Sequence, residues 1–257
     1  MADNYLERRF EEYQAQKNGA KGPKKHSLTI GKKPGYINVK FPPLRVLVTG
    51  GANGIGRAIV EAFRKADCKV AFCDIDSKQG QATAEKIGAQ FHPVDVKDCE
   101  ALETCMERIF KAWDDIDVII NNVGITDHQE ITAFDSNTFD TVMHTNLRPI
   151  FVTTRKLVEH RKQVENSFGR IINISCTPQA VKQMGNALFA ASKGAVNATT
   201  KALASSLKEY NIKVNSISPG MVDSSEMAED IAKACLFLCH TDNQFINGEN
   251  INIGNDL

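Results

Sequence analysis

The chain has 257 residues, 42% of them hydrophobic, which is enough to bury one full α/β core. Its 31 basic and 31 acidic residues cancel, so no global field favours nucleic acid or a membrane surface as a partner. The start, Met1 to Arg9, lacks the apolar run of a leader, no stretch approaches a membrane span, and seven scattered cysteines fit reduced thiols, so a cytoplasmic location is expected.

Residues 1–41 read as a polar, lysine-rich extension. Within it, Tyr5, Leu6, Phe10 and Tyr13 form a partial apolar stripe that predicts a short helix over 3–16. The stretch 17–40 carries seven lysines, no acid and several Gly and Pro residues. That composition suits a solvated arm, or one laid over a neighbouring subunit, better than a nucleic-acid contact.

From residue 42 onward a single domain is expected. Short apolar runs at 45–48, 69–73, 91–94, 118–120, 170–174, 213–217 and 250–253 predict strands. Between them, 55–65, 102–113, 147–159 and 195–207 have helical spacing, and a further helix is expected at 228–232. Strands alternating with helices imply a doubly wound parallel sheet of about seven strands, covered on both faces. Cys235, Cys239 and His240 have helical spacing that a metal would accept, but their apolar neighbours Ala234, Leu236, Phe237 and Leu238 favour a core helix, and no metal is expected.

The first strand runs directly into Thr49-Gly50-Gly51-Ala52-Asn53-Gly54-Ile55-Gly56, and a helix follows. Glycines there allow a sharp turn, close approach of backbone amides to a pyrophosphate, and tight packing of helix on strand. The positive end of the helix then faces the phosphates. The second strand ends in Asp74, about twenty residues on, where a dinucleotide fingerprint places its ribose-binding acid. A carboxylate there accepts hydrogen bonds from ribose hydroxyls and repels a 2′-phosphate, while Asn53 and Ile75 supply no offsetting charge. NAD is therefore expected over NADP. The plainer alternative is that Asp74 only caps the next helix.

These residues, with others further along, resemble the short-chain dehydrogenase/reductase family. The glycine turn has that family's G-x-x-x-G-x-G spacing, and Asp95-Val96 is similar to its adenine-pocket pair. Asn121-Asn122-Val123-Gly124 resembles its N-N-A-G element, and Asn146 falls where it carries an active-site asparagine. The runs Ile171-Ile172-Asn173-Ile174-Ser175-Cys176, Phe189-Ala190-Ala191-Ser192-Lys193-Gly194 and Val214-Asn215-Ser216-Ile217-Ser218-Pro219-Gly220 resemble three later motifs, so the likeness extends from about Leu44 to the C-terminus. The resemblance implies an oxidoreductase acting on an alcohol/carbonyl pair with NAD. It implies that Lys193 bonds the nicotinamide ribose, that Pro219, Gly220 and Val222 line the nicotinamide, and that Ser224 replaces a threonine on the carboxamide. It also implies a homodimer or homotetramer through the helices at 147–159 and 195–207. Without the neighbouring motifs, Lys193 would read as an ordinary surface lysine.

The chemistry departs from that family at three places. Four residues before Lys193, where the family's tyrosine exchanges a proton with the substrate oxygen, stands Phe189, which has none to exchange. Thirteen residues before Phe189, the serine position holds Cys176, a weaker donor. A one-residue slip would bring Ser175 there but would invert Ile172 and Ile174. Finally, only Met221 to Met227 separate Pro219-Gly220 from the next helix, so a substrate-covering loop is short. Tyr210 lies on a turn, and Tyr36 in the extension is the remaining candidate to supply a hydroxyl from a neighbour. Two readings stay open: a weak or atypical oxidoreductase of unknown substrate, or a non-catalytic protein that binds a dinucleotide and uses its extension for partners.

Overall fold

The computed structural model describes residues 43–127, 131–164, 168–222 and 224–254. The extension, with its expected helix and with Tyr5, Tyr13 and Tyr36, lies outside the described residues. In chain order the elements are β1 (Arg45–Thr49), α1 (Gly54–Lys65), β2 (Lys69–Asp74), α2 (Ser77–Ile87), β3 (Gln90–Pro93), α3 (Cys99–Trp113), β4 (Val118–Asn121) and α4 (Ser136–Asn146). There follow α5 (Arg148–Arg161), β5 (Gly169–Ile174), α6 (Pro178–Met184), α7 (Ala187–Ser206), β6 (Ile212–Pro219), α8 (Ser225–Cys239) and β7 (Asn250–Ile253). All seven strands are parallel, in the order β3-β2-β1-β4-β5-β6-β7.

Successive strand residues point to opposite faces, and the apolar runs fill both. Val46, Val48, Val70, Phe72, Val118, Ile120, Ile172 and Ile174 meet Ile59 and Phe63 of α1 and Ile231, Cys235 and Leu238 of α8 on one face. Leu47, Ala71, Cys73, Ile119, Ile171 and Val214 meet α3, α5 and α7 on the other. A fully buried Leu, Ile or Phe contributes on the order of 1.5–3 kcal/mol relative to its exposed state, so these two layers dominate stability. Cys235 and Cys239 belong to the first layer, where burial pushes both thiols up. Among the described residues, no helix is long and apolar enough to cross a membrane.

The helices differ from expectation where caps rather than apolar spacing define them. α7 begins at Ala187, eight residues before the expected start, because the Asn186 side chain accepts from the Phe189 amide at 2.7 Å and nucleates an alanine-rich first turn. α2 and α4 likewise open on aspartate caps, Asp76 and Asp135, and carry few buried apolar residues. At the N-terminal edge of the sheet, Arg45 grips Asp117 through two side-chain bonds of 2.7 and 2.8 Å, and Arg161 meets Asp115 at 3.0 Å. That closed ion cluster leaves the C-terminal edge for ligand chemistry.

Candidate functional site

The strand order reverses between β1 and β4, so the loops leaving them part and open a crevice at the C-terminal edge. Gly50 turns with φ +70°, a conformation that side chains resist. A Cβ added at Gly56 would lie 1.9 Å from the Gly50 carbonyl oxygen, so α1 can start directly beneath the turn only with glycine there. The Asn122 side chain donates to the carbonyls of Thr49 and Gly50 at 3.1 and 3.0 Å, and its amide donates to Thr49 Oγ1 at 3.0 Å. β4 thus pins the turn from the far side of the crevice.

The start of α1 is left open to a ligand. Asn53 makes no side-chain bond to it and its first turn holds no acid, whereas Asp76, Asp98, Asp135, Asn186 and Ser224 cap their own helices. Uncapped amides at the positive end of a helix form an anion site. Asp74 accepts the Ala52 amide at Oδ2 and the Asp76 amide at Oδ1, both at 3.0 Å, so it braces the turn as well as bordering the crevice. A carboxylate offers about four acceptor positions, which leaves room for sugar hydroxyls.

Gly50, Asn53, Ile55 and Gly56 line one cleft of about 460 Å³ together with Asp74, Asp95, Val96, Asn122 and Gly124. Lys97 also lines it, 3.6 Å from Asp95, and was not anticipated; its only signal in the sequence is its place two residues after Asp95. Gly54 lies on a neighbouring groove of about 720 Å³ between α1 and α8, together with Val222 and Ser224. Ile55 borders both spaces. Pro219 ends β6, the Gly220 amide donates to the Ile253 carbonyl at 2.7 Å, and Ser224 Oγ accepts from the Met227 amide at 3.3 Å as the cap of α8. The loop before α8 is shorter than expected, since that helix starts at Ser225.

A second cluster forms where α7 crosses the ends of β4 and β5. Lys193 is 5% exposed and donates from Nζ to the Ile174 carbonyl at 2.9 Å. Burial pulls its pKa down to about 8, opposed in part by Cys176. Gly124 makes space for it, because a Cβ there would lie 2.9 Å from Nζ. One helical turn earlier, the Phe189 ring has its centroid 5.8 Å from Nζ and packs with Cys176 and Ala180. Ile174 pairs with Ile217, and Ser175 Oγ donates to the Lys193 carbonyl at 3.1 Å, so β5 has not slipped and the thiol, not the hydroxyl, lies against Phe189.

Asn146 joins two elements beside this cluster. Its Oδ1 accepts the Ile125 amide at 2.8 Å, and its Nδ2 donates to the Ile125 carbonyl at 2.8 Å and to Ser192 Oγ at 2.9 Å. The side chain therefore ties the loop after β4 to α7. Beneath it runs a buried chain that spacing did not single out: Thr153 donates to Asn121 at 3.0 Å, Asn121 to Asn173 at 2.9 Å, and Asn173 to Thr200 at 2.9 Å. It links α5, β4, β5 and α7, and so fixes the helix that carries Lys193 and Phe189.

Comparison with known proteins agrees with this geometry. Residues 45–235 match the model of a family described as short chain dehydrogenase. A Rhizobium meliloti protein described as a probable galactose dehydrogenase is 32% identical over 192 residues, which is 71% of this chain and 74% of that protein. The 3-oxoacyl-[acyl-carrier-protein] reductase of Aquifex aeolicus is 28% identical over 249 residues, covering 86% of this chain and all of that protein. The structure of the Brucella melitensis 3-ketoacyl-(acyl-carrier-protein) reductase complexed with NADH superposes with a TM-score of 0.73 at 26% identity, covering 81% of this chain and 96% of that one.

Proposed function

The chain belongs to the short-chain dehydrogenase family, and on that premise we propose that it binds NAD(H) in the β1/β4 crevice while its alcohol/carbonyl turnover is weak or atypical. The observation that carries this reading is the pairing of an open, glycine-built turn with Phe189 in the place beside Lys193. Bound nicotinamide would supply or accept hydride. The uncapped start of α1 would hold the phosphates, Asp74 the adenosine ribose, and Lys193 the nicotinamide ribose. Asp74 favours NAD over NADP, and Lys97, already paired with Asp95, offsets it little. A ketone or alcohol needs a group that exchanges a proton with its oxygen, and a phenyl ring offers none.

A second reading, a dinucleotide-binding protein without catalysis, draws support from the close apolar packing of Phe189 with Cys176 and Ala180. In both readings the chain pairs with copies of itself through α5 and α7. Phe151 is 48% exposed on α5, and Gly194 on α7 has open space where a side chain would stand. Calorimetric titration with NADH and NADPH, run beside turnover on alcohols, ketones and aldehydes, tests the proposal. Tighter binding of NADH with slow ketone turnover is expected; binding of neither dinucleotide refutes it.

A further inference from the structure

We propose that the groove between α1 and α8 holds the body of the substrate, and that this substrate is a long unbranched primary alcohol or aldehyde; this rests on the NAD-binding reading above. At about 720 Å³ the groove is larger than the cleft beside Asp74 and falls in the size range of small-molecule sites. The two helices make it from residues that their buried faces leave over. α1 turns Ile59, Val60 and Phe63 onto the sheet, and Ile55, Ala58 and Ala62 flank that stripe at helical spacing. α8 answers with Ala232 and Leu236, one turn apart, beside its own buried Ile231 and Cys235.

Its place beside the dinucleotide crevice gives the groove a direction. Ile55 borders both spaces, and Val222 and Ser224, expected beside the nicotinamide, line the groove together with Gly54. From Ile55 the lining follows α1 down to Lys65, a run of about 15 Å at the helical rise per residue. Phosphates at a helix start engage only the first turn, so the remaining length is free for a second molecule.

The distribution of polar groups then selects the occupant. Ser224 and Ser225 put hydroxyls at the nicotinamide end. Below them the inner walls, Ala58, Ala62, Ala232 and Leu236, are aliphatic. Charges stand on the rim and close on one another: Arg57 meets Glu61 at 3.1 Å, and Lys233 meets Asp230 at 2.8 Å. A ligand body that carried hydroxyls or charge would lose water between those walls without gaining partners. A hydrocarbon tail gains from the same burial, and its oxygen-bearing end stays beside the nicotinamide. Continuity with the dinucleotide crevice, an aliphatic trough and a rim already paired therefore point to one chemical class.

The test saturates the full-length protein with NADH, so that no oxidation of the alcohol can follow, and titrates it by calorimetry with 1-butanol, 1-hexanol, 1-octanol and 1-decanol. Each methylene that enters the groove should tighten binding about 2- to 4-fold, so 1-decanol should bind on the order of 10²-fold or more tightly than 1-butanol. Ala62→Phe fills the groove at mid-length, and Leu236→Gln sets an amide into its wall. Each should weaken 1-decanol on the order of 10-fold or more while the affinities for 1-butanol and NADH hold, the latter showing that the variants are folded. With NADH bound normally, a gain of less than about 3-fold from 1-butanol to 1-decanol overturns this inference alone, as does 1-decanol binding that neither variant weakens. A lower molar mass of Ala62→Phe in light scattering also overturns it, because a second copy would then be the occupant of the groove. Failure to bind NADH at all overturns it together with the reading on which it rests.

Discussion

Replacing Lys193 by methionine keeps its length and removes its charge, and the effect on stability should change sign with pH. Burial lowers the lysine pKa from 10.5 to about 8. At about 1.4 kcal/mol per unit, holding the ammonium charged in the folded protein costs about 3 kcal/mol. Methionine escapes that cost but leaves the buried Ile174 carbonyl without the 2.9 Å bond from Nζ, a loss of about 1–2 kcal/mol. Without dinucleotide and near neutral pH, Lys193→Met should therefore be more stable by about 1–2 kcal/mol. Below pH 8 both the folded and unfolded states of the unmodified chain carry the proton, and the full cost is present. Between about pH 8 and 10.5 the unfolded chain keeps a proton that the folded one has lost, so the unmodified protein gains stability as pH rises. Above that window the cost is gone, only the lost hydrogen bond remains, and the variant should be the less stable by about 1 kcal/mol. Urea denaturation of both proteins at neutral pH and near pH 11 reads this difference directly. A variant that is less stable at both pH values, by the same amount, would refute the claim that a charged lysine is buried here at a cost.

Asn173→Ala removes the centre of the chain from Thr153 to Thr200 and leaves the Asn121 amide without its acceptor and the Thr200 hydroxyl without its donor. About 2–4 kcal/mol of stability should be lost, seen as a lower urea midpoint with an unchanged slope. Asp74→Ala should narrow or reverse the preference for NADH over NADPH in calorimetric titration; equal affinities in the unmodified protein would show that Asp74 does not meet the ribose.

The strands were legible because a parallel sheet buried on both faces writes itself as short continuous apolar runs, and each of the seven forms within two residues of its expected place. The glycine turn was legible for a different reason: it is local, and Gly56 could not be anything else beneath the Gly50 carbonyl. What stayed hidden depends on distance along the chain. Thr153, Asn121, Asn173 and Thr200 are ordinary polar residues until the fold stacks them, and nothing in the spacing marks Ile125 and Ser192 as partners of Asn146. The start of α7 was missed because alanines carry no periodic signal, leaving Asn186 as the sole mark. The choice between Ser175 and Cys176 turns on strand register, which the Ile174–Ile217 pairing decides and spacing alone leaves open.

If a nicotinamide site survives here while the proton exchanger for ketones is lost, Phe189→Tyr should restore ketone turnover. Phe189 is 8% exposed and differs from tyrosine by one oxygen, so the new hydroxyl enters within the field of Lys193, which favours its ionised form. A positioned acid is worth on the order of 10²–10⁴ in rate, and the short loop before α8 limits the gain toward the lower end. With NADH and small ketones, near-background turnover is expected from the unmodified protein and a rise on the order of 10²-fold from Phe189→Tyr, at unchanged NADH affinity. Rapid ketone reduction by the unmodified protein, indifferent to Phe189→Tyr and to Lys193→Met, would contradict it.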